Sequence, residues 1–147
     1  MNPMIATLAQ LQRLRDRKVK DITVQLAEQQ QLCARYDSNI NALGYLFDKT
    51  QVNSQAARSV EVLKNVTDYK GSLQRVIAWQ EQEKTLAKIK ANRIQKNLVR
   101  AACEEKIVAL TLDDQRQILL HEQQTHAQKS LDEIASQCWL RQRKQPE

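Results

Sequence analysis

Residues 22 to 47 read ITVQLAEQQQLCARYDSNINALGYLF. Within them Ile22, Leu26, Gln29, Cys33, Tyr36, Ile40, Leu43 and Phe47 follow one another in alternating steps of four and three, and only Gln29 breaks the apolar character. An α-helix turns once in 3.6 residues, so this spacing draws a narrow stripe along one face. Such a stripe is buried by a second helix, and the stretch is read as a coiled-coil seam.

Outward from this seam, Leu8, Leu11, Leu14 and Val19 carry apolar character towards the amino terminus, with a slip of register around Arg15 and Lys18 of the kind a stutter produces. Residues 48 to 59, DKTQVNSQAARS, lose the rhythm and supply Thr, Asn and Ser able to turn or cap the backbone. Beyond them Val62, Val66, Tyr69, Leu73 and Val76 restart it. Ala87, Ala91, Ile94, Leu98, Ala101, Glu105, Val108, Leu112, Gln115 and Leu119 continue it, and Leu120, Gln124, Ala127, Leu131, Ile134 and Cys138 form a last register.

Composition agrees with long helices and little else. With two Gly, two Pro and one Phe in 147 residues, chain reversals are too few for a sheet or a many-helix bundle. The expected fold is all-α, an antiparallel two-helix coiled-coil hairpin with a longer second helix. One domain over 1–147 is expected, with helix 1 at about 4–50, a loop at about 51–59 and helix 2 at about 60–140.

A fold-back near residue 55 sets Leu8 opposite the neighbourhood of Ala102, and nothing on helix 1 then reaches past about Lys106. Helix 1 spans roughly 70 Å and helix 2 roughly 120 Å. The predicted overhang begins at residues 107 to 120, IVALTLDDQRQILL. An unpaired amphipathic helix of this kind needs a partner to cover its apolar stripe.

Apolar runs stay far below the roughly twenty residues that cross a bilayer, and the amino terminus lacks a signal-peptide pattern. Cys33, Cys103 and Cys138 are widely spaced and form no C-x-x-C pair, which fits a reducing compartment. The expectation is a cytoplasmic protein. No nucleotide-binding loop or nucleophile elbow is present. His121 and His126 lie on different helix faces, and Asp113 and Asp114 diverge, so neither a metal site nor an acid/base pair is expected. The chain is read as non-enzymatic and without a cofactor.

A net charge of +6 points to an acidic partner or surface. Two basic runs carry it: RLRDRKVK, with Arg13, Arg15, Arg17, Lys18 and Lys20, and the acid-free KTLAKIKANRIQKNLVR, with Lys84, Lys88, Lys90, Arg93, Lys96 and Arg100. Under the fold-back above they face each other as a positive collar. Aromatic platforms for single strands are missing and no basic-zipper arrangement is visible, so nucleic acid is not the expected partner. Arg141, Arg143 and Lys144 favour the carboxyl end of the helix dipole, beside Trp139 as a contact anchor.

LAQLQRLRDRKVKDITVQLAEQQQLC (8–33), LDEIA (131–135) and the closing KQPE resemble in spacing the first helix and the carboxyl end of the FliJ family of flagellar type III export proteins. The resemblance covers nearly the whole chain. It implies a stalk-like hairpin whose paired termini sit in the hexameric export ATPase and promote its assembly and activity. The same likeness implies contacts with the membrane-embedded export gate and with export chaperones, and a peripheral place at the cytoplasmic face of the inner membrane through these protein partners.

On this reading Arg13, Arg15, Arg17, Lys18, Leu112, Leu119, Trp139, Arg141, Arg143 and Lys144 meet the ATPase ring. The positions matching the gate-contacting ones are Asn39, Leu43, Leu46 and Thr50 on helix 1, and Tyr69, Leu73, Val76 and Gln80 on helix 2. Leu46 and Thr50 stand where aromatics are usual in the family, and Leu43, Tyr69, Leu73 and Val76 equally fit the intramolecular seam. The alternatives are a stand-alone homo-oligomeric coiled coil and the equivalent stalk protein of a virulence type III secretion system.

Overall fold

The computed structural model describes residues 2–55 and 59–144. Among them the chain forms two helices, α1 (Pro3–Gln55) and α2 (Val60–Lys144). Each begins on a side-chain cap. Asn2 Oδ1 accepts from the Met4 amide at 3.0 Å, and the Asn2 carbonyl takes the Ile5 and Ala6 amides at 3.2 and 3.3 Å. Pro3 fits the first helical position because no intrahelical bond is asked of its nitrogen. At the start of α2, Ser59 Oγ accepts from the Val62 amide at 3.2 Å and the Ser59 carbonyl from Leu63 at 3.1 Å. Glu61 in the first turn and Arg141, Arg143 and Lys144 in the last complement the dipole of α2. Replacing Ser59 by Ala is expected to lower stability by about 1 kcal/mol. Urea unfolding followed at 222 nm measures this, and an unmoved midpoint would show that the cap contributes nothing.

The chain divides into two compact units, Lys18–Ala101 and Met1–Arg17 with Ala102–Glu147. In the first, α1 and α2 run antiparallel, since Gln29 meets Ala87 while Asn39, further along α1, meets Gln80, earlier on α2. The α1 seam is the one the sequence indicates: Ile22, Leu26, Cys33, Tyr36, Ile40, Leu43 and Phe47 are half-buried, and Gln29 is buried. Leu73, Ala87 and Ala101 form the best-buried apolar positions of α2 here. Gln29 donates its Nε2 to the Ala87 carbonyl at 3.0 Å. A carbonyl already used in the helix has a second lone pair for such a bond, and the methyl of Ala87 leaves room for the amide to reach it.

Near the start of α2 the seam differs from the sequence reading. Val62, Tyr69 and Val76 are exposed, and the inward positions are Val66, Lys70, Leu73, Ile77, Gln80 and Lys84. These six keep the rhythm that runs on through Ala87, whereas Tyr69 and Val76 lie one residue out of it. Lys70 reaches inward with its stem and holds its ammonium over the Phe47 ring, 5.9 Å from the centroid.

In the second unit Gln12 Nε2 donates to Glu105 Oε1 at 3.5 Å and Arg15 Nη1 to Glu104 Oε2 at 2.7 Å. The expected stutter is absent. Ile5, Leu8, Gln12 and Arg15 continue the heptads directly into Val19, with Gln12 and Arg15 at inward positions. A fold-back near residue 55 would have set Glu104 opposite the neighbourhood of Ala6. Its contact with Arg15 moves the pairing by roughly two and a half turns. Part of the reason is that α1 runs on to Gln55 instead of ending near Thr50, so residues 51–55 of the predicted loop are helix; Ser59 caps α2, and 56–58 lie outside the described residues.

This shift corrects the reading of residues 107 to 120. Leu112 is only 2% exposed, the best-buried large side chain among the described residues, and Val108, Gln115 and Leu119 are half-buried. Ile107, Leu110, Ile118 and Leu120 point outward. The stretch has two apolar faces, one in the seam and one in solvent. The unpaired part of α2 therefore starts near Leu120, where every side chain through Lys144 is exposed except half-buried Ser130. Twenty-odd residues of isolated helix are marginal in water, but here the helix only propagates from an already packed segment, so the costly nucleation step is avoided.

Candidate interaction surfaces

The basic residues of α1 are less available than their number implies. Arg15 is half-buried and ion-paired with Glu104, while Arg13 is exposed and its Nε donates to the Ala9 carbonyl at 3.5 Å. Arg17 and Lys18 are exposed. Arg15 thus meets a carboxylate where the sequence reading sets a basic run opposite it. The second run is likewise reduced at its start, because Lys84 forms an ion pair with Asp37 across the helices.

Hydrogen bonding to Asp37 is the main cause that holds the Lys84 ammonium above the ordinary lysine value of 10.5; partial desolvation opposes it. A raised lysine pKa stabilises the fold fully below that ordinary value, and the contribution is lost as pH rises through the higher folded value. The melting temperature of Lys84→Gln should therefore lie below that of the parent by a constant margin from neutral pH to about pH 9, and the margin should close above about pH 10.5. A margin unchanged at high pH would show that the ammonium charge is irrelevant.

The positions matched to the gate divide sharply. Leu73 and Gln80 are buried, Leu43 is half-buried, and Thr50 is buried with its hydroxyl donating to the Leu46 carbonyl at 2.7 Å. Gln80 Oε1 accepts from Asn39 Nδ2 at 3.5 Å. Seam packing accounts for these side chains, which corrects their reading as partner-facing. Asn39, Leu46, Tyr69 and Val76 are exposed and remain able to meet another protein.

Leu112 must also leave the set of ring-facing residues, since the seam covers it, and Leu119 is half-covered. The exposed apolar residues further along are Leu131 at 61%, Ile134, Trp139 at 55% and Leu140. Spacings of three, five and one spread these four around much of the circumference of α2. The Arg143 guanidinium lies 5.1 Å from the Trp139 ring centroid, a cation–π contact within the last turns. Trp139, Arg141, Arg143 and Lys144 are all exposed.

Apolar residues off the seam were the signal missed in the sequence. Trp79, Leu86, Ile89 and Val99 fall between its rungs, and all are about half exposed. Cys33 is half-buried and Cys103 and Cys138 are exposed, all as free thiols. Among the described residues no group of three or more His, Cys, Asp or Glu is placed to hold a metal ion, and no helix is long and apolar enough to cross a membrane.

Two helices of unequal length, packed through polar as well as apolar rungs in each unit, define a coiled-coil protein. A family model described as Flagellar FliJ protein matches residues 4–144, and the chain belongs to the FliJ family. No curated protein and no solved structure matches it. Membership makes the chain a component of the flagellar type III export apparatus, in a family of structural export components.

Proposed function

We propose that the chain acts as a stalk of the export machinery, binding the hexameric export ATPase and promoting its assembly and turnover. The observation that carries this reading is the segment from Leu120 to Lys144, a continuous helix with Leu131, Ile134, Trp139 and Leu140 exposed and a basic end. Large apolar and aromatic residues beside arginines are the composition of interface hot spots. Arg13, Arg17 and Lys18 add charge from α1. Asn39, Leu46, Tyr69 and Val76 serve the contact with the export gate, and the same protein escorts export chaperones. Its place is the cytoplasmic face of the inner membrane. ATP hydrolysis and oligomerisation of the cognate export ATPase, measured with and without the full chain, test the proposal. Stimulation of both is expected, and no change in either would end the stalk reading.

A further inference from the structure

One face of α2 is used neither by the seam nor by the proposed ATPase and gate contacts. Leu86, Ile89, Arg93, Lys96 and Arg100 alternate in steps of three and four, so they form one stripe, and all are exposed. The seam in this segment takes Lys84, Ala87, Ala91, Ile94, Leu98 and Ala101, which turns the stripe away from α1. Val99, at 58% exposure, lies beside it, and Trp79 extends it towards the start of α2. No Asp or Glu occurs between Lys84 and Ala101. Among the described residues Arg93, Lys96 and Arg100 form no ion pair.

We propose that this outward face, from Trp79 to Arg100, docks on an anionic phospholipid surface. Three observations favour lipid over other occupants. Cations and apolar side chains are interleaved on one convex face, and the recess on its flank, lined by Asn92, Gln95, Lys96 and Val99, is open to solvent. A bilayer interface needs no shaped partner: acyl boundary takes apolar tips, headgroups take the cations, and a tryptophan sits well between them. A second copy of the chain would set Arg93, Lys96 and Arg100 against like charges. Single-stranded nucleic acid would want stacked aromatic platforms, and the face has the single indole. The inference is independent of the stalk reading, since it involves neither the residues nor the segment assigned to the ATPase.

Flotation of the full chain with vesicles tests it, comparing phosphatidylcholine alone with phosphatidylcholine containing phosphatidylglycerol, at low and at physiological salt. Binding is expected only with the anionic lipid and is expected to weaken with salt. Replacing Arg93, Lys96 and Arg100 together by Gln should lower partitioning roughly a hundredfold, at about one strong surface contact per residue. The same change at Arg141, Arg143 and Lys144 should leave most of the binding. With Trp139→Phe, Trp79 emission should shift to the blue on anionic vesicles, a readout that does not depend on the triple variant. The proposal falls if vesicles are ignored, if neutral vesicles bind equally, if Trp79 emission stays unchanged, or if only the carboxyl-terminal variant loses binding. It also falls if the chain is held by a polyglutamate matrix through Arg93, Lys96 and Arg100 while ignoring vesicles, which would assign the face to an acidic polypeptide.

Discussion

Leu112→Ala is expected to lower unfolding free energy by about 2–4 kcal/mol, the range for a fully buried leucine whose cavity cannot collapse completely. This loss is large because the interior is thin. Among the described residues the well-buried apolar side chains are Leu73, Ala87, Ala101 and Leu112, and two of those are alanines. Leu112 packs in the unit whose inward positions also include Ile5, Leu8, Val108 and Leu119, in a seam only two helices wide, so few neighbours can move in to fill the space. Denaturant unfolding of the full chain gives the value. A change below about 0.5 kcal/mol, normal for an exposed site, would return Leu112 to the unpaired part of α2 and restore the earlier fold-back.

The opposite pattern is expected for Leu131→Gln combined with Ile134→Gln. Both positions are more than half exposed, and glutamine has nearly the helix propensity of leucine, so stability should change by less than about 0.5 kcal/mol. If the segment is gripped by the export ATPase, binding should fall roughly thirtyfold, as when a hot spot worth about 2 kcal/mol is removed, and stimulation of ATP turnover should fall with it. Titration of the chain into an ATPase assay separates a weaker contact, seen as a right-shifted curve, from an inert one. An unshifted curve would remove Leu131 and Ile134 from the contact, whereas a fall in helix stability would mean that they pack within the chain.

These variants test a division that the sequence showed only in part. From Ile22 to Phe47 and from Ala87 to Leu119 every residue assigned to the seam faces inward, because apolar side chains happen to occupy nearly all the rungs there. The reading failed where the rungs are polar. Lys70, Gln80 and Lys84 present aliphatic stems to the neighbouring helix and keep their polar ends paired, so nearby Tyr69 and Val76 looked like better candidates. Gln12 and Arg15 likewise resembled a break in register, and their fitness for the seam depends on Glu105 and Glu104, far away in sequence. The start of the unpaired segment was misplaced for a simpler reason. Reversal was located by loss of pattern, and each residue of error there displaces the pairing by two. Of the side chains proposed for contacts, the exposure of Trp139, Arg141, Arg143 and Lys144 was legible from their place far beyond the reach of α1. The matched gate positions were not, since likeness of spacing cannot tell Leu73, which is covered, from Val76, which is not.

The bond from Gln29 to the backbone of Ala87 has a mechanical meaning within the 18–101 unit. An apolar two-helix seam can slide by one heptad, about 10 Å, and regain equivalent contacts. Here such a slide would part the buried Gln29 amide from the Ala87 carbonyl and Asp37 from Lys84 in the same movement. Both contacts belong to this one register, so load along α2 in this unit reaches α1 as shear through them as well as through the apolar rungs.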